Sequence, residues 1–278
     1  MAIINKSSRK ILLREVRQVL EATVQVQDGW TKKRLRQGYN SYPSIVEVMS
    51  DKSYPKYDVT DRHAADIQYT VSTTSWLKGV KVRNGATRIT IMFDTDKFKN
   101  IVVKVPYDTT YDYCKKEVEN YEKAPDEIRP FLARAEFLGN VAVHSYTTSK
   151  TVILPVYIMR RVEGSDKISN TYKGRKNPLK EKLSNEEYDK VYYAYARCRS
   201  EWVMNLLYER MGIDNFLKFL DYIEENYIND LHSGNIGSLD GHPVLFDYAG
   251  FRDGSGGDYD YDYDYDNGYD NEYDSYSS

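Results

Sequence analysis

The spacing of apolar residues along the chain changes character twice. From Lys10 to Val24 they recur at Ile11, Leu12, Val16, Val19, Leu20 and Val24, the 3.6-residue period of a helix with one buried face. Tyr39 to His63 is rich in Ser, Pro, Tyr and Asp and reads as irregular connection. Between Ile67 and Val162 the pattern becomes strand-like. Thr87 to Phe93 alternates with Ile89, Ile91 and Phe93 on one side, and Asn100 to Val105 forms a second strand. Tyr111 to Lys123 reads as a helix stopped at Ala124-Pro125, and Ala135 to His144 and Thr151 to Arg161 supply further strands. After Gly164 the period turns helical again. A polar, basic loop at Ser165 to Lys182 leads to Ser184, a cap with Glu187 as capping-box partner, and a long helix to Met211 ended by Gly212. Asp214 is expected to cap the next helix, whose stripe is Phe216, Leu217, Leu220 and Ile223.

From Gly254 onward the alternation belongs to Asp and Tyr, with like charges repeated at every second residue, so this acidic tail reads as disordered. Between Asp258 and Asp274 it carries seven Asp and one Glu, and removing those eight negatives from the formal charge of −3 leaves the rest near +5. A mildly basic body suits phosphate-bearing ligands, although a surface offsetting its own tail accounts for it too. The basic cluster Lys32, Lys33, Arg34 and Arg36 beside Trp30 is read as a solvated helix face in preference to a nucleic-acid contact. No apolar run is long enough to span a bilayer and the first residues lack a secretory pattern. With only Cys114 and Cys198, the expectation is a reduced, cytoplasmic protein with no membrane partner.

The chemistry concentrates near the C-terminal end. In Tyr227-Ile228-Asn229-Asp230-Leu231-His232-Ser233-Gly234-Asn235 an Asp and an Asn stand five residues apart. Asp247 follows twelve positions after Asn235, inside Val244-Leu245-Phe246-Asp247-Tyr248-Ala249-Gly250. Asp240-Gly241 is a tight-turn pair that would let the short flanking strands meet, bringing Asn235 and Asp247 face to face. Carboxylate and amide oxygens are what a hard divalent cation binds. A second feature is Lys104 in Ile101-Val102-Val103-Lys104-Val105, where alternation puts Val102 and Lys104 on one face. A lysine there is costly to bury without an anion. Glu117 is the chosen partner because it shares a helix stripe with Tyr113, Cys114 and Tyr121, whereas Glu119 lines up with Lys115, Lys116 and Lys123.

Together these residues resemble the protein-kinase-like superfamily. The Asp-Leu-His-Ser-Gly-Asn run, with His232 where protein kinases usually have Lys, is similar to aminoglycoside phosphotransferases and to compact serine/threonine kinases of tailed bacteriophages. The resemblance implies an α+β, two-lobed kinase-like fold with a strand-rich N-lobe and a reduced helical C-lobe. Its segments would be an N-terminal extension at 1–70, an N-lobe at 71–164, a C-lobe at 165–252 and the tail at 253–278. It implies ATP and magnesium as cofactors, Asp230 as proton acceptor, and Asn235 and Asp247 as metal ligands. Lys104 would meet the phosphates, paired to Glu117, and Val102 would lie over the adenine. Backbone groups at Arg161 and Val162 would meet the adenine edge, and His232 would buttress the loop.

The expected activity is phosphoryl transfer to protein hydroxyls, on other proteins (host proteins for a phage enzyme) or on the chain's own tail. A small-molecule kinase and a non-catalytic, partner-binding pseudokinase are the alternatives. Two departures matter. No G-x-G-x-x-G precedes Lys104, only Gly79 and Gly85 around Val80 to Asn84, and the stretch after Gly250 holds no activation segment or later substrate-binding helices.

Overall fold

The computed structural model describes residues 2–21, 24–25, 41–42, 79–84, 87–106, 112–145, 150–164, 183–186, 189, 201–228, 231 and 233–250. The basic cluster at 32–36, most of 39–63, the loop at 165–182, Glu187, Asp230, His232 and the acidic tail lie outside them. Within these residues the fold is mixed α+β, an antiparallel sheet of five strands accompanied by helices. The strands are β1 (Val80–Asn84), β2 (Arg88–Phe93), β3 (Ile101–Pro106), β4 (Ala135–Ser145) and β5 (Lys150–Arg160). They lie in the order β1-β2-β3-β5-β4. Helix α1 is Lys6–Glu21, and α2, Tyr113–Lys123, joins β3 to β4. A two-residue strand pair, Val24–Gln25 with Ser41–Tyr42, stands apart from the sheet.

Alternation gives the sheet two different faces. Ile89, Ile91 and Phe93 of β2 and Ile101, Val103 and Val105 of β3 are buried on one side. They share a core with Leu12, Val16, Val19 and Leu20 of α1. The helix expected inside an N-terminal extension is therefore built into the sheet's own core. Fully burying a side chain of this size contributes about 1.5–3 kcal/mol, so four such residues on α1 make it an integral layer. The opposite face carries Arg88, Thr90 and Met92 from β2 and Val102 and Lys104 from β3, and it lines a cleft.

A second core gathers α3 (Glu201–Met211), α4 (Ile213–Glu225) and a two-stranded hairpin, β6 (Ile236–Leu239) and β7 (His242–Leu245). Phe216, Phe219 and Leu220 of α4 pack there with Leu231, Leu245 and Tyr248. Asp214 does not cap α4. The residue before the helix is Gly212, in the left-handed region at φ 74°, and Asp214 sits in the first turn, where its charge complements the helix dipole. The β6–β7 turn follows expectation: Asp240 and Gly241 both take positive φ, 52° and 81°, and Leu239 pairs with His242 across a two-residue loop. Among the described residues, no helix is long and apolar enough to cross a membrane.

Candidate functional site

The cleft, of about 580 Å³, lies between the sheet and the segment following β7. Among the described residues its lining is strongly basic, with Lys81, Arg83, Arg88, Lys104, Arg160 and Arg161 against a single acidic residue, Asp247. Helix α2 forms the wall behind Lys104. Its N-cap is Asp112, whose carboxylate accepts from the Lys115 amide at 3.0 Å and from the Tyr157 hydroxyl of β5 at 2.5 Å. One residue thus starts the helix and ties it to the sheet. Ala124, held extended by the following Pro125, ends it. The buried stripe of α2 is Cys114, Glu117 and Asn120, an unusually polar set for a helix face turned inward.

Glu117 meets Lys104. The Lys104 ammonium donates to Oε1 at 2.8 Å and Oε2 at 2.9 Å, and to the Phe246 carbonyl at 3.0 Å. Glu119, by contrast, pairs with Lys115 at the surface. The sequence does not single out Arg88, yet it completes the cluster. Its Nη2 lies 3.3 Å from Glu117 Oε1 and also pairs closely with Asp247. Two cations and two carboxylates thus form a neutral group beneath the cleft. Burial favours the neutral guanidine, but Glu117 and Asp247 outweigh it and raise the Arg88 pKa further, so the residue stays charged. Burial pushes Glu117 upward against the pull of Arg88 and Lys104. Burial pushes Asp247 upward, but Arg88 and Lys104 overcome it and hold the carboxyl below its ordinary value.

The corner carrying Asp247 is fixed by buried polar contacts. Asn120 Nδ2 donates to the Tyr248 carbonyl at 2.7 Å, the Tyr222 hydroxyl of α4 donates to the Asn120 carbonyl at 2.8 Å, and the Tyr248 hydroxyl donates to the Ala133 carbonyl at 2.5 Å. Asn235 reaches the corner through its backbone, its carbonyl accepting from the Phe246 amide at 3.0 Å, although its side chain is buried and not part of the cleft wall. Val102 and Val162 line the cleft beside Met159 as apolar members of an otherwise basic wall. The Arg161 amide donates to the Asn100 carbonyl at 2.9 Å, which takes that donor away from a base edge. Asp230 lies outside the described residues, but Ile228 and Leu231 on either side of it are buried. A comparison with protein-family models and with curated proteins finds no match.

The donor chemistry fits magnesium arriving with phosphate. Asp247 offers a hard oxygen ligand at the cleft, the Asn235 amide is buried away from the cleft wall, and among the described residues no group of three His, Cys, Asp or Glu could hold a metal. Phosphate oxygens and water would supply the remaining positions.

Cys114 is fully buried, and burial pushes its thiol far above the ordinary range despite the nearby Arg88. Because the thiolate is the reactive form, a Cys198→Ser variant is expected to resist a dithiobis-nitrobenzoate reagent at pH 8 while native and to react fully in guanidinium. Rapid native labelling would place Cys114 at an accessible surface instead.

Proposed function

We propose that this chain is an ATP- and magnesium-dependent phosphotransferase acting on protein hydroxyls, with a compact two-lobed, protein-kinase-like frame. The observation that carries the reading is a lysine on the third strand of the sheet, gripped through both oxygens by a glutamate of the next helix, with Asp247 beside them at a basic cleft. Phosphoryl transfer needs little covalent participation from the protein, only placement and countercharge. Lys104 and the cleft's arginines supply countercharge for the phosphates, while Val102 and Val162 offer the base an apolar surface. Magnesium, held by Asp247 and the nucleotide's own phosphates, would neutralise charge building on the transferred group. The acceptor oxygen attacks the γ-phosphorus, the bond to the bridging β-oxygen breaks, ADP leaves, and the hydroxyl proton passes to Asp230.

One observation favours a second reading, a kinase-shaped binding module without catalysis: Asp247 is already neutralised by Arg88. A thermal-shift measurement with ATP and magnesium separates a nucleotide binder from an inert fold, and transfer of label then separates catalysis from binding alone. Binding at a hundredfold excess over the dissociation constant contributes about 2.7 kcal/mol, which for a domain of this size raises the midpoint by about 5–10 °C. Wild type should show that rise and Asp247→Ala should not. Labelled ATP incubated with the protein and a cell lysate should then label protein. A wild-type midpoint indifferent to ATP and magnesium would end the phosphotransferase reading.

A further inference from the structure

We propose that the Arg88–Asp247 ion pair is a latch that opens by exchange of partners, Asp247 giving up the guanidinium for a divalent cation as Arg88 gives up Asp247 for nucleotide phosphate. The proposal deepens the phosphotransferase reading and rests on it, adding Arg88 as a phosphate-binding residue.

Four observations converge on this. First, the ion pair is lopsided. The Glu117 side chain is 1% exposed and also held by Lys104, whereas that of Asp247 is 37% exposed and opens on the cleft. A ligand therefore reaches the Asp247 end while the Glu117 end stays sealed. Second, Arg88 is only 7% exposed, yet its closest contact to each carboxylate comes from the same Nη2 and its buried Nη1 has no hydrogen-bond partner. A guanidinium is a planar fork suited to two parallel bonds with carboxylate or phosphate. The latched arrangement leaves the Nη1 prong unused.

Third, the group of Lys104, Arg88, Glu117 and Asp247 is neutral as it stands. A divalent cation alone would leave Arg88 facing a like charge, and a polyphosphate alone would face a free Asp247 carboxylate once Arg88 turned to it. Only the two together let each partner be replaced without an uncompensated buried charge, which is costly. Fourth, Arg88 begins β2, directly after the β1–β2 turn, in the part of the sequence that lacks a glycine-rich phosphate cradle. A side-chain donor there stands where such a cradle would be expected.

The consequence is strong positive coupling between metal and nucleotide, equal in both directions. It is tested on the full chain by Mn²⁺ titration followed by electron paramagnetic resonance, and by calorimetric titration of a non-hydrolysable ATP analogue. Wild type is expected to bind Mn²⁺ at least about tenfold more tightly with the analogue than without it, a coupling of ordinary allosteric size. Arg88→Met frees Asp247, so Mn²⁺ alone should bind about tenfold more tightly than in wild type, while the analogue at saturating Mn²⁺ binds about tenfold more weakly. Arg88→Lys keeps a charge beside Glu117 and serves if the methionine variant does not fold. Its single ammonium should change both affinities in the same directions by less. Unchanged Mn²⁺ binding in the substituted protein, or unchanged analogue binding, overturns the latch. Failure of wild type to bind the analogue at all overturns the underlying phosphotransferase reading instead, so the two failures are distinct.

Discussion

Lys104→Met is expected to reduce phosphoryl transfer at least about a hundredfold, the scale on which a single preorganised electrostatic contact to the transition state acts, and to destabilise the fold as well. The two effects have different origins. Methionine approximates the length of lysine, so packing beside Val102 and Thr90 survives, but Glu117 loses its bidentate partner while remaining 1% exposed. Removing one member of a buried ion pair costs about 3–5 kcal/mol when the other is stranded. Arg88, still 3.3 Å from Glu117, keeps the loss near the lower end of that range. Adding Glu117→Gln removes the stranded charge and should restore about 1–3 kcal/mol relative to the sum of the single substitutions. It should restore no activity, because the cation proposed to face the phosphates is still missing. Urea unfolding and kcat/KM with labelled ATP, measured across the four proteins of this cycle, check both halves. Transfer by Lys104→Met within about threefold of wild type, under half a power of ten in rate, would remove Lys104 from the reaction.

The reason Lys104 and Glu117 were legible from sequence is that each obeys a local periodicity. A lysine in a strand of valines needs an anion, and Glu117 of the following helix lies on the buried stripe with Cys114. The Asp240-Gly241 turn and the stop at Ala124-Pro125 are legible for the same reason, since both are rules about neighbouring residues. Arg88 is not local in that sense. It looks like the polar start of a strand, and only the pairing of Thr90 with Lys104 places it, two residues earlier on the same face, over Glu117 and Asp247. The alternation that selected Lys104 on β3 would also have selected Arg88 had it been carried across to β2. Asn120 and Tyr248 are further still from sequence logic, because their bonds join segments 128 residues apart. The start of α4 shows a subtler competition: Asp214 has the chemistry of a cap, but Gly212 has the backbone freedom to turn first, and the helix starts after the glycine.

Gly250→Ala is expected to cost about 2–4 kcal/mol of stability, and to lower turnover more than nucleotide affinity. Gly250 sits at φ 76°, where a β-carbon costs roughly 1–2 kcal/mol. An added Cβ would also overlap the Tyr227 carbonyl oxygen, with the carbonyl carbon at 2.8 Å and the Ile228 nitrogen at 3.3 Å, all of them backbone. One side of that contact has to move. The Gly250 side cannot do so easily, since the preceding corner is held by Tyr248, bonded to Asn120 and Ala133 and fully buried. The Tyr227–Ile228 side is the one to yield, and it leads straight into the segment holding Asp230. Asp247 and Lys104 stay in place, so the proposed binding of ATP and magnesium should persist while the proposed proton acceptor shifts. Gly241→Ala is the control, because Gly241 has a similar φ of 81° but open space around it, and its cost should be the conformational one alone. Comparing thermal midpoints and kcat for the two variants isolates the steric contact. If both lose the same stability and Gly250→Ala keeps its turnover, the packing of the Asp247 corner against the 227–228 backbone has no bearing on catalysis.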